Sequence, residues 1–338
     1  MPKHHSKAPQ NHPNPKKRRR KPLLKMLSRA FVKPRRVPDE SRETSMLRSS
    51  SIFEHEDFLF GFMDDIPLVS CSKSGAEMTL RQVLRASVGV IGESPMGMTE
   101  KVVLLGGRIS AVKRFKRVVI RRNEFGRRVQ RVAVIGNASE YLVPLTAYLY
   151  AKRIKFVVSD YYPMGSLADL LSGAKEEGHT ALEWKYRYRI IQCIAKAIAF
   201  IHSQTPPKER HLKLNVHGNI KTSNVMINVD FSARLSDYGF VQLADQVAVE
   251  DTGQTELAIY EQKLSQESDV YNFGIVLMEI LGWPDESLGA KMGRVSELCV
   301  EGGEDEKQRS NVLEIASRCR NCLAHARPTI NDVVACLG

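Results

Sequence analysis

The sequence predicts an α+β fold of two lobes, in which a small antiparallel β lobe with one helix precedes a larger, mostly helical lobe. Residues 88–120 alternate apolar and polar side chains around a Gly106-Gly107 turn, which is typical of antiparallel hairpins. Beyond Gly165 the apolar residues recur every three or four positions, which indicates buried helix faces. A chain of 338 residues is long enough to bury a core of this size.

The predicted elements of the small lobe follow one another in a simple order. The segments Val102–Leu105 and Ile109–Lys113 form paired strands, a helix runs from about 124 to 134, and two more strands lie around 142–149 and 156–159. Strands with a single helix are expected to form a small first lobe.

The large lobe is predicted to contain several helices around a short hairpin. Its strongest pattern runs from Trp184 to His202, where five isoleucines share one helix face. The hairpin joins Val225–Ile227 to Arg234-Leu235. Further helices are expected at Val270–Trp283, Val312–Cys322 and Asn331–Leu337.

Composition excludes several classes of protein. The chain is 43% apolar and 26% charged, so it is neither wholly disordered nor collagen-like. It lacks an unbroken apolar run of about 18 residues and an apolar secretory signal, so a soluble cytoplasmic protein is expected. Six scattered cysteines fit a reducing compartment. Cys319 and Cys322 are interpreted as two core-facing thiols, because one CxxC pair cannot complete a zinc site.

Residues 1–77 are predicted to be a basic, largely disordered tail and linker. Residues 1–36 hold 13 Lys or Arg and no Asp or Glu, whereas the whole chain carries +12, so the rest is close to neutral. The tail is interpreted as a patch for an anionic membrane surface, as a nuclear-import signal at Lys16–Lys21, or as a solvated flank. The basic amphipathic stretch Leu23–Phe31 favours the membrane. No specific nucleic acid is expected, because residues 1–30 contain no Phe, Tyr or Trp to stack on bases.

The folded domain is predicted to span 78–338, with the small lobe at about 78–160 and the large lobe at about 161–338. A series of short motifs runs through it in a fixed order. They are Ala111-Val112-Lys113, His217-Gly218-Asn219-Ile220-Lys221-Thr222-Ser223-Asn224, Leu235-Ser236-Asp237-Tyr238-Gly239, Ser268-Asp269-Val270-Tyr271-Asn272-Phe273-Gly274 and Arg327-Pro328-Thr329.

In this order the motifs resemble the protein kinase fold, and more narrowly the plant leucine-rich-repeat receptor-like kinases with an HGN catalytic loop. The resemblance implies an ATP site with magnesium held by Asn224 and Asp237, and Lys221 near the γ-phosphate. It also places Ser159 as the gatekeeper before a hinge at Asp160–Tyr162. The implied nucleotide-binding residues are Gly92, Gly97, Lys113, Asp160, Tyr162, Asn224 and Asp237.

The chain departs from the family pattern at sites that matter for catalysis. Ser94 replaces the middle glycine of the phosphate loop, and Pro95 removes an amide donor there. Arg128 occupies the helix position whose glutamate normally pairs Lys113, and is expected to repel that lysine. Asn219 occupies the position of the catalytic aspartate, and an amide cannot accept the proton of the attacking hydroxyl.

The sequence therefore predicts a pseudokinase that acts as a signalling scaffold or regulator and binds ATP and magnesium weakly or not at all. An atypical active Ser/Thr kinase is the alternative, because the metal ligands remain. A third interpretation is an adaptor that works through its basic tail. The resemblance implies receptor-like kinases or other signalling proteins as partners, at the inner face of the plasma membrane. The sequence is expected to lack the ectodomain and membrane span that usually precede this domain in the family.

Overall fold

The computed structural model describes residues 65–71, 78–176, 182–205, 212–244, 264–282 and 303–338. The predicted basic tail and linker, apart from residues 65–71, lie outside the described residues. Among the described helices, none combines the length and apolar character needed to cross a membrane.

The small lobe is built on one antiparallel sheet of six strands, which are β1 (Val69–Ser70), β2 (Ser87–Ser94), β3 (Gly97–Val103), β4 (Ile109–Phe115), β5 (Leu145–Tyr150) and β6 (Lys155–Asp160). Their order across the sheet is β1-β5-β6-β4-β3-β2. The predicted hairpin pairing around Gly106-Gly107 is confirmed by the β3–β4 register. Strand β1 precedes the boundary near Met78 that the sequence indicated, because two residues carry too little pattern to identify a strand.

A short helix, α1 (Leu80–Arg85), precedes β2 and has a capping box at its N-terminus. Helix α2 (Arg122–Gly136) packs its apolar side against the sheet. Phe125 and Val129 of α2 are fully buried. The ring of Phe125 lies 6.0 Å from that of Tyr148 on β5. The predicted helix at 124–134 is confirmed, and it extends by about a turn in total.

The large lobe is helical around a two-stranded hairpin. Its elements are α3 (Leu167–Glu176), α4 (Trp184–His202), β7 (Val225–Ile227), β8 (Ala233–Leu235), α5 (Gln266–Leu281), α6 (Glu304–Cys319) and α7 (Ile330–Leu337). The prediction for α4 is confirmed at both ends, and its five isoleucines are buried as expected. The expected antiparallel pairing of β7 with β8 is also confirmed.

Three predictions for this lobe need correction. Helix α6 begins at Glu304, eight residues before the predicted Val312; no pattern marks this start, because residues 304–311 are polar and show no apolar periodicity.

Helix α5 begins four residues before Val270, because Ser265 caps it by accepting a hydrogen bond from the Ser268 amide. Cys319 is buried, but Cys322 is exposed, because α6 ends at Cys319 and the helical spacing of the two thiols is lost. The interpretation of two core-facing thiols is therefore wrong for Cys322.

Gly97 is required by the close approach of β3 to β4. A Cβ at Gly97 would lie 1.9 Å from the backbone oxygen of Arg114, whereas one at Gly92 would meet nothing within 4 Å. A backbone atom cannot rotate away as a side chain does, so the strands would have to separate.

We expect Gly97→Ala to lower the free energy of unfolding by about 2–3 kcal/mol, as overpacking does when the backbone must move. Gly92→Ala is the matched control and should change it by less than about 0.5 kcal/mol. Urea denaturation of both variants measures the difference. Equal stability of the two variants would contradict the close approach of these strands.

Candidate functional site

A cavity of about 390 Å³ lies in the cleft between the two lobes. Seven of the nine site residues expected from the sequence line it, and two do not. Asn219 and Gly97 are absent from its wall. The lining members of the expected set are Gly92, Lys113, Asp160, Tyr162, Lys221, Asn224 and Asp237.

Lys113, on β4, is paired with an acid of the large lobe. Its ammonium lies 3.2 Å from Oδ2 of Asp237, which follows β8. Lys113 is only 7% exposed, so this ion pair is shielded from solvent. Asp237 has a φ of +61°, in the left-handed region, and Gly239 adopts a φ of +72° two residues later. Lys113 therefore has a partner even without a glutamate on α2.

Ser94 closes the turn between β2 and β3 over the same lysine. Lys113 Nζ donates a hydrogen bond of 3.3 Å to Ser94 Oγ. That hydroxyl also accepts from the Gly97 amide at 3.3 Å and donates to the Gly97 carbonyl at 3.1 Å. Lys116 Nζ donates to the Ser94 carbonyl at 3.3 Å. Ser94, which replaces the middle glycine, therefore binds the Gly97 amide, which the resemblance would assign to phosphate binding.

Arg128 on α2 makes contacts that the sequence did not predict. Its Nε donates a hydrogen bond to Glu124 Oε1 at 2.6 Å, and another guanidinium nitrogen donates to the backbone carbonyl of Gln242 at 2.7 Å. Arg127 binds the same carboxylate. Hydrogen bonds from Arg128 and Arg127 lower the pKa of Glu124, so this acid is held ionised on α2 and is not the partner of Lys113.

Gln242 extends this contact into the large lobe. Its side-chain carbonyl accepts from the Lys213 amide at 2.7 Å, and its amide donates to the Lys213 carbonyl at 2.9 Å. Lys213 Nζ in turn donates to the Leu264 carbonyl at 2.9 Å. A continuous polar chain therefore runs from α2 to the N-terminal side of α5. Sequence spacing gave no signal for it, because its members lie far apart along the chain.

The loop at His217–Asn219 is held by Asp269 from α5, which is 0% exposed. Its carboxylate accepts from the His217 amide at 2.7 Å and from the Gly218 amide at 2.8 Å. His202 Nε2 lies 3.1 Å from the same carboxylate. Asp269 thus fastens α5 to the loop backbone.

Asn219 is positioned by its own backbone within this loop. Its amide donates to Nδ1 of His217 at 3.1 Å, and its carbonyl accepts from Asn224 Nδ2 at 2.8 Å. The side-chain nitrogen of Asn219 is buried and has no hydrogen-bond partner among the described residues. The loop therefore places a carboxamide, with no ionisable group of its own, where the resemblance puts the catalytic acid.

His217 links this loop to the stability of the fold. Its ring is fully buried, and burial lowers its pKa. The neutral ring accepts the Asn219 amide at Nδ1, whereas a protonated ring would have to donate there. In acid the unfolded chain binds a proton that the folded chain excludes, so stability falls with decreasing pH.

We expect the free energy of unfolding to fall below about pH 6.5, where an unfolded histidine protonates. On lowering the pH from 7.5 to 5.5, the free energy of unfolding should fall by about 1 kcal/mol more in the wild type than in His217→Asn. His325→Asn, at an exposed position, is the control and should retain the wild-type loss. Denaturant titrations at the two pH values measure this, and identical pH dependence in wild type and His217→Asn would refute the assignment.

The chain matches the family described as "Protein tyrosine and serine/threonine kinase" over residues 107–337. The Arabidopsis thaliana protein named "Probable inactive receptor kinase At4g23740" is 39% identical over 287 residues, which cover 75% of this chain and 42% of that protein. Other Arabidopsis relatives are named as inactive receptor kinases or as leucine-rich-repeat receptor-like kinases. The chain spans less than half the length of these curated relatives.

Two solved structures are similar in fold. The pseudokinase domain of BIR2, an immune regulator of the RLK/Pelle family, gives a TM-score of 0.62 at 24% identity, covering 80% of this chain and 88% of that chain. The kinase domain of maize SIRK1 (sucrose-induced receptor kinase 1), bound to AMP-PNP, gives a TM-score of 0.65 at 27% identity. The match covers 80% of this chain and 98% of that chain. The predicted two-lobed fold is thereby confirmed.

Proposed function

The chain belongs to the protein tyrosine and serine/threonine kinase family, and on that premise we propose that its two-lobed domain is a pseudokinase. In this function the domain acts as a signalling scaffold or regulator and transfers little or no phosphate. Names of inactive receptor kinases among its relatives support the proposal.

The observation that carries the proposal is the carboxamide of Asn219 in the catalytic loop. The Asp269 anchor and the Asn224 hydrogen bond hold the loop backbone in place, so only the side-chain chemistry is changed. A carboxamide has no basic lone pair at neutral pH and cannot take the proton of an acceptor hydroxyl. General-base catalysis contributes about 10²- to 10⁴-fold in rate, so its loss reduces transfer by that order.

A second change acts on a different part of the mechanism. In active kinases a glutamate on the small-lobe helix pairs with the strand lysine and orients it toward the phosphates. Here Arg128 occupies that helix position and binds Glu124 and the Gln242 carbonyl instead. Lys113 is bound by Asp237 and Ser94. Neither change compensates for the other, because one concerns proton transfer and the other the geometry of the phosphate site.

An atypical active Ser/Thr kinase is the second candidate. Lys113, Lys221, Asn224 and Asp237 all line one cavity, and positioning with metal ions supplies most of the catalysis in this family. These residues fit an ATP site in part, with Asn224 and Asp237 as the oxygen donors that would hold magnesium. The metal would neutralise phosphate charge there. Asp237 contacts Lys113 through Oδ2, and its carboxylate has a second oxygen that could serve a metal.

Partners and location follow from the same proposal. A domain without phosphoryl transfer acts through its surfaces, and receptor-like kinases or other signalling proteins are the partners that its relatives favour. We propose that the basic residues 1–36 add affinity for anionic lipid at the inner face of the plasma membrane. Nuclear import through Lys16–Lys21 is the alternative.

We expect the purified chain with magnesium ATP and a protein acceptor to transfer no more phosphate than its Asp237→Ala variant. Asn219→Asp restores a proton acceptor and is expected to exceed that background. Asn321→Asp, whose side-chain oxygen can still accept from the Leu323 amide, is the matched control and should not exceed it. Radiolabel incorporation measures all four proteins. Wild-type transfer that disappears in Asp237→Ala would overturn the proposal in favour of the active kinase.

A further inference from the structure

Basic residues gather at one end of the small-lobe sheet, where two connections between elements lie side by side. One connection is the loop from β4 to α2, and the other is the turn from β5 to β6. Both expose every basic residue that the argument uses. We call these residues the basic end of the small lobe; they are Lys116, Arg117, Arg121 and Arg122 in the loop, and Lys152 and Arg153 in the turn.

The register of the sheet brings the two connections together. Arg114, near the end of β4, pairs with Phe156, near the start of β6, so the loop and the turn leave the sheet at the same end. Tyr150, the last residue of β5, donates a hydrogen bond from its hydroxyl to the Ile120 carbonyl at 3.0 Å. This bond fastens the loop beside the turn, although its two residues are 30 positions apart in the sequence.

The segments that form this surface contain no acidic residue. The sequence has neither Asp nor Glu in residues 101–123 or in residues 141–159. Glu124, in the first turn of α2, is bound by Arg127 and Arg128. The basic end therefore has a local excess of positive charge, which attracts an anionic partner.

An exposed apolar side chain lies in the middle of the same loop. Val119 is 63% exposed, whereas its neighbours Val118 and Ile120 pack against the hydrophobic core. These two contacts hold the loop so that Val119 faces outward between two pairs of basic residues. Segments that bind at a membrane interface combine the same two features, since cations meet anionic headgroups while apolar side chains enter the boundary with the acyl chains.

From this arrangement we propose that the basic end of the small lobe is a membrane-contact surface, which binds anionic phospholipid headgroups and inserts Val119 among them. Clusters of about four to eight Lys or Arg are typical of surfaces that bind anionic lipid. A lipid surface also extends far enough to meet the loop and the turn at once. The proposal goes beyond the pseudokinase function, because this surface lies outside the cleft, and it adds a contact of the folded domain to the one proposed for residues 1–36.

Co-sedimentation of the full chain with vesicles tests this contact, with phosphatidylcholine alone and with an equimolar mixture of phosphatidylcholine and phosphatidylserine. We expect binding to the anionic vesicles only. Arg121→Gln/Arg153→Gln removes one cation from each connection and should weaken that binding about 25-fold, because each basic residue near an anionic surface strengthens binding about fivefold. Lys307→Gln/Arg318→Gln removes two exposed cations of α6 and is the matched control, which should retain the wild-type affinity.

A second pair of variants tests the apolar part of the contact. Val119→Ser should weaken binding to the anionic vesicles about fivefold, because a serine gains much less from leaving water than a valine does. Val229→Ser is the matched control, since Val229 is 75% exposed in the turn between β7 and β8 of the large lobe. Its affinity should equal that of the wild type.

The outcomes separate this surface from the tail and from the proposed function. Equal weakening in the two double variants would overturn the assignment, since net charge alone would then explain binding. Unchanged binding in Arg121→Gln/Arg153→Gln would also overturn it and would leave residues 1–36 as the lipid-binding part. Neither result bears on the pseudokinase function, which phosphate transfer tests. Melting temperatures show whether each variant remains folded.

The wild-type chain provides a further check on the kind of partner. Equal binding to both types of vesicle, or binding to neither, would overturn the proposal. If the chain instead bound polyglutamate, and lost that binding in Arg121→Gln/Arg153→Gln, the surface would be assigned to an acidic protein segment.

Discussion

The buried carboxylate of Asp269 is the constraint on which the geometry of the cleft depends. Its oxygens accept hydrogen bonds from the backbone amides of His217 and Gly218. The loop held in this way places the Asn219 carbonyl where it accepts a hydrogen bond from Asn224 Nδ2. Gly218 has a φ of +82°, and a Cβ there would lie 2.5 Å from Leu264 and 2.8 Å from Val241. The positive φ therefore favours glycine at this position, and the Leu264 and Val241 side chains would have to move to admit a Cβ.

The residues that remove catalytic groups also contribute contacts that hold the present arrangement. Ser94 gives the turn above Lys113 an internal set of hydrogen bonds, and Arg128 joins α2 to Gln242. Hydrogen bonds that involve a charged group typically contribute about 1.5–3 kcal/mol, more than neutral ones. Ser94, Lys113 and Arg128 thus find hydrogen-bond partners within the chain itself.

Local patterns in the sequence predicted the local structure well and the long-range contacts poorly. The α4 boundaries follow from isoleucines spaced along one face, and β7 and β8 follow from a short hairpin pattern. The Arg128–Gln242 bond joins residues 114 positions apart, and no periodicity encodes such a pairing. Repulsion between Arg128 and Lys113 was expected from charge alone, but the structure gives each side chain a different partner. The lining of the cleft was predicted through motifs, whereas Gly97 serves strand packing, which only the register of β3 against β4 makes visible.

Contacts across the cleft join the small lobe to the large lobe. The Lys113–Asp237 pair connects β4 with the segment that follows β8, and the Arg128–Gln242 bond connects α2 with the same segment. A ligand shifts a conformational equilibrium only by its differential affinity for the alternative states. A molecule bound in the cleft would therefore change the arrangement of the lobes only if its affinity differed between states in which these contacts are made and states in which they are broken.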